Sequence, residues 1–169
     1  MRHDTHSTDT QITPPLTVEA LAYGGDGVCH LDGRVVFVPG VVPGDRVTVA
    51  IRQDRGAFLR GAAAGIAEPS PDRVEPFCPH AGQCGGCQWQ HVSCTAQLDW
   101  KRRIVAETLR RIGGLGNVDV EPCRPSPIER GYRTVARYPV ERTTRGFAFG
   151  YYGRHSHRVV DIGSCPMAG

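Results

Sequence analysis

The stretch "GGDGVCHLDGRVVFVPGVVPGDRV", residues 24–47, decides the fold. Runs of β-prone residues, each about one strand long, alternate with turn-forming Gly, Pro and Asp. Asp32-Gly33 between "VCHL" and "RVVFV" marks a tight hairpin, because both positions tolerate positive φ. The pattern extends outward in both directions, to "LTVEALAY" at 16–23, "RVTVAI" at 46–51 and "AFLRGAAAGI" at 57–66. Five short strands in about fifty residues predict a small OB-like barrel, a closed sheet that commonly offers one face to nucleic acid. Residues 1–15 are polar, end in Pro14-Pro15 and carry no periodicity, so they read as a disordered lead-in. The barrel is expected over residues 16–70.

A proline-rich, charged stretch at 67–76 marks a boundary, and the chain then changes character. Residues 71–115 read as a linker, a cysteine segment and a helix. The helix is expected over 94–112, capped by Ser93, with Cys94, Leu98, Val105, Leu109 and Ile112 on one face and Gly113-Gly114 as its stop. Arg103 with Glu107, and Glu107 with Arg111, are spaced for ion pairs on the other side. Such a helix is expected to lie as a lid on a neighbouring sheet. Residues 116–169 return to β-like runs, "YRTVARYPVE", "GFAFGYYG" and "SHRVVDI", and read as a partial β domain with "RTTRG" as a hairpin loop. The fold class is thus mainly β with one helix, α+β.

The cysteines carry the chemistry. Seven are present, and three of them, Cys78, Cys84 and Cys87, fall within "CPHAGQCGGCQWQH" at 78–91. Three thiols with glycines between them suit a metal or cluster site better than core packing or spaced disulfides. A fourth ligand is needed. His80 or His91 would complete a zinc site, and Cys165, followed by Pro166, would complete a four-iron cluster. Spacing alone leaves both metals open. Cys29, Cys94 and Cys123 read as small hydrophobes. No Gly-rich strand-to-helix turn is present to cradle a dinucleotide or phosphate, since "GGLG" follows a helix.

Net charge is only +3, yet the cations are unevenly placed. Eight arginines fall between positions 124 and 160, interleaved with tyrosines and phenylalanines, a composition suited to phosphate contact and base stacking. The candidate RNA contacts are Tyr132, Arg133, Arg137, His155, His157 and Arg158. No apolar run is long enough to span a bilayer and no signal segment opens the chain, so the protein is expected in the cytoplasm with no membrane partner.

These residues together resemble a known family. The barrel stretch "GGDGVCHLDGRVVFVPGVVPGDRV" is similar to a TRAM domain, an RNA-binding module. "CPHAGQCGGCQWQH", "RRIGGL", "GYRTVARYPV", "GFAFGYY" and "SHRVVDIGSCP" resemble the iron–sulfur RNA uracil-5-methyltransferases, which act on ribosomal RNA. The resemblance implies a [4Fe-4S] cluster held by Cys78, Cys84, Cys87 and Cys165. It also implies a catalytic part, binding S-adenosylmethionine and carrying a cysteine nucleophile, that lies further along the chain in that family. Here the sequence stops at Gly169, just past the fourth ligand. The expectation is therefore an RNA-binding, cluster-bearing N-terminal portion with no catalytic residues of its own, binding no S-adenosylmethionine and inactive without a missing C-terminal catalytic domain. The alternative is a stand-alone TRAM-type RNA-binding module with an iron–sulfur or zinc site.

Overall fold

The hairpin signal at Asp32-Gly33 is realised between β3 (Gly27–Leu31) and β4 (Arg34–Val38), which pair antiparallel, with φ of 49° at Asp32 and 76° at Gly33. The structure is a computed structural model that describes residues 11–144, 146–154 and 156–169. Contacts divide the chain into two units, meeting in sequence at Asp72 and Arg73. Among the described residues there are eight strands and one α-helix, a mainly β fold.

In the first unit, β1 (Leu16–Thr17), β2 (Ala20–Leu21), β3, β4, β5 (Arg46–Asp54) and β6 (Phe58–Glu68) form one sheet in the order β1-β5-β6-β4-β3-β2. The two ends of that order are adjacent in sequence. Val18 N–H donates to Asp45 O at 2.9 Å and Glu19 N–H donates to Val28 O at 2.8 Å, so one short stretch bridges β5 to β3 and closes the sheet. Closure removes free edges. The β5–β6 ribbon carries three register shifts, and such bulges bend a ribbon. The start of β6 can then pair with β4 as well, in parallel.

Alternation along the strands decides what fills the barrel. Val36, Val38, Val47 and Val49 point inward and are fully buried with Cys29, Val18 and Leu59 close by, while Val35 and Phe37 face outward. Gly61 lies where a Cβ would stand 2.3 Å from Val49 Cγ1, so the core is packed against bare backbone there. The ordered chain reaches further back than the boundary at residue 16. Ile12 bridges to Ala50, and buried Thr13 exchanges bonds with Val49, its Oγ1 accepting from Val49 N–H at 3.0 Å. The threonine hydroxyl and backbone supply the pairing that composition alone did not reveal.

In the second unit, α1 (Cys94–Arg111) starts at Ser93, whose Oγ accepts from Ala96 N–H at 3.3 Å. It ends before Gly114, at φ 62°. Glu107 pairs with Arg110 at 2.7 Å and reaches Arg111 at 3.7 Å, while Arg103 stacks over Trp100. The expected lid is not formed: Ala96 alone is buried along the helix, and Cys94, expected on a packed face, is exposed. Among the described residues the sheet of this unit is the two-stranded ribbon of β7 (Val140–Thr143) and β8 (Gly146–Phe149). No described helix is long and apolar enough to cross a membrane.

Candidate metal centre

The cysteine segment makes no regular element, and its turns are set by local bonds. Ala81 N–H donates to Cys78 O at 3.0 Å, Cys84 N–H donates to His80 O at 2.9 Å, and Gly82 takes φ 86° to let the chain double back. Downstream the segment is tied to the helix, where Gln97 Nε2 donates to Trp89 O and to Val92 O at 3.0 and 2.9 Å. Gln90 Oε1 accepts from Cys78 N–H at 3.2 Å and holds the two ends of the loop together.

The middle of the loop docks on residues 151–154. Cys84 and Gly153 form a β-bridge, and Gly85 N–H donates to Tyr152 O at 2.8 Å. Both glycines are required by space: a Cβ on Gly85 would stand 2.6 Å from Tyr152 O, and one on Gly86 would stand 2.8 Å from the Tyr151 ring. Two arginines reinforce the contact. Arg133 donates through Nη1 to Tyr151 Oη and through Nη2 to Gly86 O, each at 3.0 Å. Arg154 Nη2 donates to Cys87 O at 3.3 Å and to Gln88 O.

Cys165 arrives by a separate route. Residues 165–169 run alongside 131–133, with Gly131 N–H donating to Pro166 O, Arg133 N–H donating to Met167 O, and a parallel bridge between Arg133 and Ala168. The outcome is one cavity lined by Cys78, Cys84, Cys87 and Cys165, with Tyr151, Ile162 and Met167 supplying apolar wall. All four thiols are half-buried. Burial pushes the Cys84 thiol up; the Gly86 N–H on its sulfur, at 3.4 Å, opposes this, and Cys87, Cys78 and Cys165 add to the rise. Thiol ligands lose their protons when a metal binds, and four thiols on one cavity offer such a set.

His80 also lines the cavity, whereas His91 is buried and is not among its lining residues. Among the described residues no three Cys, His, Asp or Glu side chains gather tightly enough to hold a single metal ion. The other cysteines are elsewhere: Cys29 is buried in β3, its thiol raised to about 11 chiefly by burial, Cys94 is exposed and Cys123 is half-buried.

The candidate RNA contacts are distributed differently from one another. Tyr132, Arg137, His157 and Arg158 are exposed, and His157 meets the Tyr152 ring edge-on at 5.8 Å. Arg133 faces the cysteine loop, with its guanidinium over Tyr151 and Tyr132 at 5.5 and 5.8 Å. His155 lies outside the described residues. Arg154 was not among the expected site residues. Its place just after Tyr151 and Tyr152, which meet Gly86 and Gly85, becomes visible only once the loop is docked.

A family description, "TRAM domain", matches residues 13–64, within the first unit. Over 92% of its length the chain is 44% identical to an uncharacterised RNA methyltransferase of Gloeobacter violaceus, covering 34% of that protein. It is 38% identical over 90% of its length to the 23S rRNA (uracil(1939)-C(5))-methyltransferase of Halomonas elongata, covering 32% of it. The chain spans about a third of the length of the curated relatives it matches. Among solved structures, the Pyrococcus abyssi tRNA (uracil-54, C5)-methyltransferase in complex with S-adenosyl-L-homocysteine superposes with a TM-score of 0.54 at 29% identity, over 91% of this chain and 33% of that one.

Proposed function

We propose that this chain, a TRAM domain joined to a four-cysteine unit and similar along nine-tenths of its length to RNA methyltransferases, is the RNA-binding and [4Fe-4S]-holding portion of an S-adenosylmethionine-dependent RNA uracil-C5 methyltransferase, with ribosomal RNA as its substrate. Residues 16–70 are the RNA-binding barrel, 71–115 carry the cysteine segment and helix, and 116–169 belong to a central β domain. The observation that carries the reading is the convergence of Cys165, from the far end of the chain, with Cys78, Cys84 and Cys87 on one cavity.

The donor set suits a cluster better than zinc. A four-iron cluster takes one thiolate at each iron, and Cys165 is followed by Pro166, the form the last ligand takes in bacterial ferredoxin runs. The apolar wall limits water, and the Gly86 N–H on Cys84 sulfur is the kind of contact that tunes a cluster. When bound, the cluster supplies a crosslink between the loop at 78–87 and the distant chain at 165. In this chain the exposed Tyr132, Arg137, His157 and Arg158 are the groups available to rings and phosphates of an RNA.

Protein purified without oxygen tests the first part: a brown chain with about four irons is expected, and a colourless, zinc-loaded chain with the same fold sinks the cluster. Filter binding to ribosomal RNA fragments tests the second. Affinity should fall linearly with log salt, and Arg137→Ala and Arg158→Ala should each lower the slope by about 1. Salt-insensitive or undetectable binding overturns the RNA assignment.

A further inference from the structure

The ribbon of β7 and β8 has one used face and one bare face. Its register sets Val140 opposite Phe149 and Arg142 opposite Phe147, so these four side chains share a face. All four are exposed, Phe147 by 72%. On the other face Ala148 is buried, and Glu141 Oε2 accepts from Val159 N–H at 3.2 Å. Tyr138 braces Phe149 edge-on, with ring centroids 6.3 Å apart, while Phe147 stands nearer the turn and more open. Two rings and a valine grouped in the open mark an interaction surface.

Charge selects the occupant. The four residues of the bare face include one guanidinium and no carboxylate. Glu141 lies on the opposite side, and Asp161 Oδ1 accepts from Phe149 N–H at 3.2 Å. The segment that carries the exposed Arg158 runs beside the continuation of β8, with Val160 N–H donating to Tyr151 O at 2.9 Å and Ile162 N–H donating to Phe149 O at 3.0 Å. Ribbon and Arg158 therefore belong to one small sheet. An apolar protein partner makes no use of Arg142, whereas a nucleic acid takes flat rings for its bases and a cation beside them for its phosphates. Resting on the RNA reading above, we propose that this face is a stacking platform for single-stranded RNA, with Phe147 taking a base and Arg142 the adjoining phosphate. Unpaired bases of every kind have a flat face to stack, so the platform holds a strand without selecting its sequence.

The test uses the 169-residue chain and a single-stranded RNA of about eight nucleotides, within the site size of one small binding module. Its variants are Phe147→Ala, Phe147→Leu, Phe147→Trp and Arg142→Ala, each checked for parental melting. At fixed salt Phe147→Ala and Phe147→Leu should weaken binding about tenfold with the salt slope unchanged, and Phe147→Trp should keep the parental affinity. Arg142→Ala should lower the slope by about 0.7, the single-strand value for one phosphate. An abasic oligomer of the same length should bind the parent and Phe147→Ala equally. Phe147→Ala or Phe147→Leu at parental affinity overturns the proposal, the latter because leucine keeps the apolar surface and loses the ring. A dimer of the parent that Phe147→Ala dissolves assigns the face to a second copy and overturns it as well. A parent chain that binds no RNA removes the RNA reading itself, a failure distinct from unchanged affinity in the variants.

Discussion

Asp45 illustrates how much a single side chain decides. It is fully buried, and its carboxylate accepts from Val42 N–H at 2.7 Å and from Ser70 N–H at 2.8 Å. One residue thereby ties the turn before β5 to the chain leaving β6. Buried N–H groups without partners are costly, so Asp45→Ala should destabilise the first unit by about 2–4 kcal/mol. Asn at the same position keeps one acceptor oxygen and should fall between. Urea midpoints of the three proteins check this, and an Ala variant within error of the parent would disprove the role. The same scale holds the main surprise of the site. Arg133 was legible as a cation among aromatic residues, but a sequence cannot tell a guanidinium facing solvent from one bonded to Tyr151 and Gly86. Both are Arg beside Tyr.

At the level of elements, strands were read more surely than packing. Alternation and the Asp32-Gly33 turn located β3, β4 and β5 because a period of two and a positive-φ turn are local properties. The helix bounds followed from Ser93 and Gly113-Gly114 for the same reason, and α1 runs from Cys94 to Arg111 as expected within a residue. What covers the helix is not local. Its stripe of Leu98, Val105, Leu109 and Ile112 predicted a packed face, but Val105 is 47% and Ile112 84% exposed. Strand packing offers a sharp test at Gly61, the inner position of β6 against Val49. Gly61→Ala should cost about 1–3 kcal/mol through overpacking, whereas Gly65→Ala meets only Thr48 Oγ1 at 3.3 Å and should cost less. Thermal melts that rank the two variants the other way would refute this account of the barrel interior.

Across the whole molecule, two units carry two kinds of cohesion. The barrel has a contiguous valine-rich core and a closed sheet. The second unit has few buried apolar residues, among them Val92, Ile162 and Met167, and relies on isolated bridges and side-chain bonds around the cavity. A crosslink closing a long loop stabilises chiefly by restricting the unfolded chain. On the cluster proposed above, stripping iron with a chelator under air should therefore lower the melting of the second unit by several degrees, leaving the first unchanged. Hydrogen exchange resolved by residue would show it: faster exchange at 84–92 and 165–169, and unaltered protection in β3–β5. Uniform loosening of both units would contradict separate cohesion.

By itself the sequence determined the barrel strands, the helix limits and the set of thiols worth considering, because alternation, capping and ligand chemistry reside in residues a few positions apart. It also marked the basic, aromatic second half. Only the tertiary structure decided that Cys165 shares a cavity with Cys78, Cys84 and Cys87, that residues 11–13 join the sheet, and that Arg133 and Arg154 turn toward the cysteine loop. Those outcomes depend on which backbone segments meet after the chain has folded back over tens of residues. Side-chain identity limits such meetings, but the hydrogen bonds and steric fit of the assembled chain select among them.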